Sequence, residues 1–337
     1  MPKDLVKLME EKAKKNKAKI VVCEGWEERC LKAVDELIKG KMADFVLLGD
    51  AELIENNAKK FKVDISKATI TDPENSDLAD ELAKKLFELR KNKGMTMEKA
   101  KELLKDENYF ACMYVYAGYA DCVVGSAVCA TDDFMRPALQ ILRKKDGLAS
   151  IVWIIFDPKR KKYFFMSDTA MNIDPGAEEL AKISLNAAEV VKDFDLTPKV
   201  ALLSFSTKGS GGDSSSIQKI RDAVEIVKKR DPGLLIDGEL QFDAAISEYG
   251  CERKCPDSPL KGDANVIIFP DLTSGNILSH GLMQFSYVKF MFSVLKGMEK
   301  PVSALGRTIP LETLRNMMVV CAMRANKSSS AEKVENN

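Results

Sequence analysis

The run Val200-Ala201-Leu202-Leu203-Ser204-Phe205-Ser206-Thr207-Lys208-Gly209-Ser210 changes character partway along. Its first four residues are continuously apolar, which predicts a buried strand. Small hydroxylated residues, one lysine and glycines follow as far as Ser216, and helical periodicity starts at Ile217. Strand, polar glycine loop and helix is how α/β proteins build anion sites. Loop N–H groups and a helix N-terminus converge on one point, and a lysine adds full charge. Two readings stay open on this stretch: a phosphate or acyl-phosphate cradle, or an ordinary connection whose serines cap the helix. The loop lacks a complete P-loop pattern, so the stretch alone does not choose between them.

Outward from this stretch, strands and helices alternate. Apolar runs at 20–23, 45–48, 68–71 and 121–125 predict strands, and helical patterns cover 5–15, 28–39, 51–61 and 78–91. Continuous apolar strands alternating with helices predict a parallel sheet covered on both faces. Thr96 reads as an N-cap, and Arg136-Pro137 opens a helix with proline in its first turn. Beyond Gly147, two β-rich runs at 150–156 and 162–166 form a hairpin-like pair. A long helix from 174 to 194 leads into the opening strand. Past the helix at 217–229, strands are predicted at 234–237 and 264–271, and a helix from 277 towards 295. A short strand at 301–305 and a helix opened by Pro310 complete the order, and residues 325–337 read as a polar, disordered tail.

The chain has 337 residues, enough for two domains, with 45% apolar and 30% charged residues. Its formal net charge is zero, which argues against a nucleic-acid partner needing a basic face. No run reaches the roughly 20 apolar residues of a membrane helix. The N-terminus lacks the apolar core of a secretory signal, so no membrane association and a cytoplasmic location are expected. Eight cysteines are scattered, Cys251 and Cys255 form the one close pair, and His280 is the single histidine. That argues against structural zinc. Asp237, Glu239 and Asp243 suggest a metal site at first, but their spacing fits a strand end turning into a helix, so no metal is expected. Neither a Gly-x-Gly-x-x-Gly nor a complete P-loop occurs, which counts against a nicotinamide dehydrogenase and a P-loop NTPase.

Ligands of open parallel sheets collect at the carboxyl ends of strands. Those ends here are Glu24-Gly25, Gly125-Ser126, the opening loop, Asp237-Gly238-Glu239, Asp271-Leu272-Thr273-Ser274-Gly275-Asn276 and Gly306-Arg307-Thr308. Arg136 and Arg307 each follow such a loop, where a guanidinium can hold phosphate through two hydrogen bonds.

These motifs together resemble the phosphate acetyltransferase (phosphotransacetylase) family, which includes the acetyl/butyryl transferases. The resemblance rests on Ser204-Phe205-Ser206-Thr207-Lys208-Gly209-Ser210, on Asp237-Gly238-Glu239-Leu240-Gln241-Phe242-Asp243-Ala244-Ala245, and on Asn265-Val266-Ile267-Ile268-Phe269-Pro270-Asp271-Leu272 with Gly275-Asn276-Ile277. Asp106-Glu107-Asn108-Tyr109-Phe110 and Arg136-Pro137-Ala138-Leu139-Gln140 add to it, and it covers almost the whole chain. It implies an α/β fold of two domains, with parallel or mixed sheets covered by helices. The architecture is like that of isocitrate and isopropylmalate dehydrogenases, with the active site in an interdomain cleft. The expected division is 1–147 plus 296–330, then 148–295, with a disordered tail at 331–337.

The resemblance further implies a homodimer that exchanges an acetyl or short acyl group between coenzyme A and phosphate in one ternary complex. Coenzyme A is then a substrate and no cofactor is required. Arg307 matches the family's carbonyl- and phosphate-stabilising arginine. Arg136 and Arg90 match arginines associated with coenzyme A and substrate, and Thr131 falls where a serine is usual. Ser206, Thr207, Lys208, Gly209 and Ser210 match its phosphate-side loop. The chain departs from the pattern at Gly306 (usually serine), at Thr313 (usually an acid, with Glu312 adjacent as substitute base) and at Cys129 (usually histidine). The stretch 278–285 lacks the usual cations. A weakly active or inactive relative that binds coenzyme A or a phosphorylated ligand, or serves an assembly role, is the alternative.

Overall fold

The structure is a computed structural model that describes residues 4–15 and 18–335, with side chains described as far as Ala325. In chain order the first elements are α1 (Leu5–Lys15), β1 (Ala18–Val22), α2 (Glu28–Lys39), β2 (Ala43–Leu48), α3 (Ala51–Phe61), β3 (Thr69–Thr71), α4 (Ala79–Arg90), α5 (Met97–Leu103), α6 (Glu107–Tyr116), β4 (Cys122–Gly125) and α7 (Thr131–Ile141). Next come β5 (Ser150–Asp157), β6 (Lys162–Ser167), α8 (Ala177–Asp193), β7 (Lys199–Leu203), α9 (Ser215–Arg230), β8 (Leu235–Leu240), α10 (Phe242–Ile246), α11 (Glu248–Lys254), β9 (Val266–Ile268), α12 (Leu272–Phe285) and β10 (Lys289–Lys296). The chain ends with β11 (Val302–Ala304) and α13 (Leu311–Glu335). It divides into a discontinuous unit, Asp4–Lys145 with Met298–Asn337, and a continuous unit, Asp146–Gly297.

The discontinuous unit is built on a parallel sheet in the order β11-β4-β1-β2-β3. Ile20, Val21 and Val22 of β1 are buried in succession, as are all four residues of β4, so both faces of the central strands are covered. α6 and α13 both pack on β1 and β4. The whole run Asn108–Val115 of α6 is buried, which explains why that helix carries no polar stripe. Arg315 of α13 reaches Glu10 of α1 at 2.5 Å and Glu36 of α2 at 3.1 Å, fixing the last helix to the first two.

The continuous unit holds a mixed sheet in the order β10-β5-β6-β9-β7-β8. β10, β5 and β6 are antiparallel, and β6, β9, β7 and β8 are parallel. The opening stretch thus starts as β7, between β9 and the edge strand β8, and Val200, Ala201 and Leu202 are buried. α8 and α9 pack against each other and against β7. The molecule is an α/β protein with one parallel and one mixed sheet, as its strand-helix alternation predicts.

Four local expectations change. α7 starts at Thr131, not Arg136, and Pro137 lies inside it. The proline has no N–H for the Asp133 carbonyl, but the helix survives because Phe134, Pro137, Ala138 and Ile141 are buried along one face. The helix expected to run towards 295 stops at Phe285, and β10 follows, paired with β5 through a bulge between Phe290 and Phe292. Aromatic and β-branched side chains at 288–294 favour the pleated surface, and the hairpin β5–β6 supplies an edge for it. β8 extends to Leu240, so Asp237 and Glu239 lie within a strand and not beyond its end. The backbone of α13 is helical to Glu335, and the tail expected at 331–337 lies outside the residues whose side chains are described. No helix among the described residues is long and apolar enough to cross a membrane.

Candidate active site

In the discontinuous unit the chain moves from β1 to β2 and β3 on one side, then returns to β4 on the other. The switch in strand order therefore lies between β1 and β4, where an open parallel sheet leaves a crevice at its carboxyl edge. Glu24 follows β1, and the loop 126–130 follows β4. The Glu24 side chain is buried and accepts the N–H groups of Ala127, Val128 and Cys129, each at 3.1 Å. Successive amide groups turned to one point form an anion nest, and here the protein's own carboxylate fills it.

Arg29, on α2, joins this loop to the one after β11. Its Nη2 donates to the Ala127 carbonyl at 2.8 Å, and its Nη1 to the carbonyls of Arg307 (3.1 Å) and Ile309 (3.0 Å). Its Nε donates to Glu27 at 2.8 Å. Read in sequence, Arg29 is one more charge on an amphipathic helix, and nothing local distinguishes it from a surface residue.

Of the residues the sequence singled out, Thr131, Arg136, Arg90, Arg307 and Glu312 all belong to this unit. Thr131 opens α7 and is exposed, with Ser126 Oγ 3.5 Å from its hydroxyl. Arg136 lies further along α7, exposed, with Asp133 at 3.6 Å as a loose ion pair. Arg90 ends α4 and donates from Nη1 to the Gln140 carbonyl at 3.1 Å, while its Nε is buried and, among the described residues, unpartnered. The Tyr109 hydroxyl donates to Gln140 Oε1 at 3.1 Å. Burial pushes the Tyr109 phenol up, and the charges of Arg136 and Arg90 pull it the other way, so both guanidinium groups bear on one ring. Arg307 is exposed on its loop, and among the described residues its guanidinium makes no ion pair. Glu312 is exposed in the first turn of α13, beside the buried Thr313. Gly306 has φ +80°, a left-handed conformation that disfavours the serine of the family pattern.

Residues 206–210 belong to the continuous unit. Their N–H groups are already partnered there: Ser206 to Ser204 Oγ (3.2 Å), Thr207 to Ser210 Oγ (3.0 Å), Lys208 to the Glu239 carbonyl (3.3 Å), Gly209 to Glu239 Oε1 (2.7 Å) and Ser210 to the Thr207 carbonyl (3.1 Å). Ser206 Oγ donates to Glu239 as well, at 3.2 Å, and Lys208 pairs with Asp237. Arg221 of α9 grips Glu239 from Nε at 2.9 Å and Nη2 at 3.1 Å. Despite its burial, the Glu239 carboxyl is held down at about 2 by Arg221 and by the Gly209 amide. The loop is an anion cradle whose anion is Glu239. Ser214 caps α9 through the Ile217 N–H at 3.3 Å, so a serine does cap the helix. Asp243 pairs with Lys254 at 2.7 Å, and each of the three acids weighed as a metal set has its own cation.

A further polar strand end escaped the sequence reading. Ser167 ends β6 and Asp168-Thr169 follows it, with Ser167 Oγ and Thr169 Oγ1 buried and, among the described residues, unpartnered. Asp168 is buried and accepts the N–H groups of Ile151, Ala170 and Asn172, with burial pushing its carboxyl up. The N-terminus of α12 comes so close that a Cβ on Gly275 would lie 2.5 Å from the Asp168 carbonyl oxygen. The signal was available: the run 167–172 turns polar directly after an apolar strand, the rule applied to the other strands.

Residues 4–322 match the sequence profile of a family described as phosphate acetyl/butaryl transferase. The chain is 44% identical over 322 residues to a phosphate acetyltransferase of Thermoanaerobacterium thermosaccharolyticum, covering 94% of this chain and 97% of that one. It is 38% identical over 322 residues to a phosphate acetyltransferase of Bacillus subtilis, covering 96% and 99%. A crystal structure of a phosphotransacetylase from Streptococcus pyogenes superimposes with a TM-score of 0.91 at 38% identity, covering 96% of this chain and 98% of that one.

Proposed function

The chain belongs to the phosphate acetyl/butyryl transferase family, and from that premise we propose that it exchanges an acetyl or short acyl group between coenzyme A and inorganic phosphate. The observation that carries this reading within the structure is the set of guanidinium groups in the discontinuous unit. Arg90 and Arg136 bear on Tyr109, and the Arg307 loop is tied by Arg29 to the loop before Thr131.

Attack of the coenzyme A thiolate on the acyl phosphate carbonyl builds negative charge on the carbonyl oxygen and releases phosphate. The reverse attack by phosphate on the thioester passes through the same charge distribution. Arg307 supplies a cation to that oxygen and to the phosphoryl oxygens. Arg136 and Arg90 hold phosphate groups of coenzyme A or substrate. The exposed Thr131 hydroxyl donates to the substrate. Glu312 takes the thiol proton as general base. Residues 206–210, with their donors turned to Glu239 and Asp237, act in this reading as the frame of the continuous unit. Coenzyme A enters as substrate.

The protein works as a homodimer in the cytoplasm on this reading. Support for a second copy comes from exposed apolar side chains on α12 and just after it: Ile277 (67% exposed), Phe285 (94%) and Tyr287 (46%).

Incubation of the purified protein with acetyl-CoA and phosphate tests the activity, with acetyl phosphate trapped as its hydroxamate. Enzyme-dependent product is expected. Folded protein that turns over none of acetyl-, propionyl- or butyryl-CoA would overturn the reading and leave a binding or assembly role.

A further inference from the structure

We propose that Glu24 is a positioning residue for acyl transfer, the resident carboxylate that shapes the β4–α7 loop. This rests on the acyltransferase reading above. Three observations carry it. First, the Glu24 carboxylate takes the N–H groups of Ala127, Val128 and Cys129 in succession, at 3.1 Å each, and is buried. Second, α7 has no side-chain cap, since its N-cap is Ala130. The approach to Thr131 is therefore set by what holds the preceding loop, and Thr131 and Arg136 follow on the same helix. Third, the charge of Glu24 bears on Glu107 of α6. The Glu107 Oε1 lies 3.3 Å from where a Cβ on Gly49 would sit, and Glu107 is hydrogen-bonded to Trp26.

The groups that face this pair come from several elements. Cys23 follows β1, Asp72 follows β3, Asp106 caps α6, Cys112 lies on α6, and Cys129 is in the loop itself. These are acids and thiols; from α2, Cys30 also faces Glu24, and Arg29 brings a cation to the same loop at the Ala127 carbonyl. Burial first, and then the charge of Glu24, push Glu107 up to about 8. The Cys129 thiol, hydrogen-bonded to Glu24, goes up to about 12 for the same reasons. Above pH 8 Glu107 loses its proton and places a negative charge against the clamp.

Hydrogen exchange of the amides of residues 127–129, joined with steady-state kinetics from pH 6 to 9.5, tests this on the full-length protein. In Glu24→Gln the three amides should lose protection, and kcat/KM should fall about tenfold to a hundredfold, the range for losing a charged hydrogen-bond acceptor. Glu24→Asp, which keeps the charge, should retain more activity than Glu24→Gln. The parent protein should lose rate above pH 8, and in Glu107→Gln that alkaline fall should flatten. Unchanged protection and unchanged kcat/KM in Glu24→Gln overturn the proposal. If Glu24→Gln does not fold, the pH profile of Glu107→Gln decides, and an alkaline limb identical to the parent's overturns the pairing. A parent protein without turnover sinks the acyltransferase reading, while the exchange of residues 127–129 still reports on the clamp.

Discussion

Two strand-end loops of this molecule are each wound around a buried glutamate, and the charged side chain set against that glutamate differs in sign. In the continuous unit, the loop 206–212 closes on Glu239, and Arg221 neutralises that acid from α9. Loop amides, hydroxyl and lysine are used up internally, and the carboxyl sits at about 2. In the discontinuous unit, the loop 126–130 closes on Glu24 through amides, and its acidic neighbour Glu107 is pushed up to about 8. The same local device therefore gives a frame in one place and a tunable support in the other. An opposite charge makes the first rigid and insensitive near neutrality. A like charge makes the second sensitive to pH, and it leaves Thr131 and Arg136 exposed for a ligand.

The comparison breaks most readily at Glu239. Glu239→Ala leaves Arg221 facing a partly buried gap and empties the loop, so a loss of about 3 kcal/mol in unfolding free energy is expected in urea titration. A loss under 1 kcal/mol would mean the loop holds itself. The same acid predicts the response to pH. Its folded value of about 2 lies below the usual carboxylate value near 4.3, so its stabilisation is complete above pH 4.5 and disappears as pH falls from there to 2. Thermal unfolding of the parent should steepen in that window, and Glu239→Gln should flatten it.

Arg307→Ala tests the functional side. It should raise the barrier by roughly 3 kcal/mol, more than a hundredfold in kcat, with Tm unchanged because the guanidinium is exposed. An unchanged kcat would remove Arg307 from the chemistry. Glu107→Gln has a smaller effect and the opposite sign. A raised acid costs stability as pH climbs from about 4.5 to 8, so this variant should be more stable than the parent at pH 8.5, by on the order of 1–2 kcal/mol, and nearly equal to it at pH 4. The smallest contrast is in the caps. Ser214→Ala should cost about 1 kcal/mol, and Ala130→Ser should gain up to about that much if the α7 N-terminus accepts a cap. Equal and null results in both would show that neither helix start depends on its cap.

The alternation of apolar strands and helices was legible because most strands are short and apolar, and several, such as β2, β4 and β11, end or begin at a glycine or proline. The reading failed where a strand competed with a helix: residues 288–294 have enough apolar side chains for either, and only the free edge of β5 decides for β10. It failed again at Pro137, whose position reads as a helix start until the burial of Phe134 one turn earlier is known. The guanidinium residues Arg90, Arg136 and Arg307 were found through motif and resemblance. Arg29 and Glu24 work at long range. Their partners are about 100 and 280 residues away in the chain, and local pattern carries no trace of such distances.

By itself, the sequence determined the α/β class, the family, and the polar strand ends with their charged residues. Those follow from periodicities and motifs, which are properties of neighbours in the chain. Only the tertiary structure decided which anion each loop holds. The loop 206–210 looks from its sequence like a cradle waiting for phosphate, yet β8 delivers Glu239 into it. The loop 126–130 has no such look, and β1 delivers Glu24. A nest of amides binds whatever carboxylate or phosphate the fold brings within 3 Å, and that proximity is set by sheet order, which no local run of residues encodes.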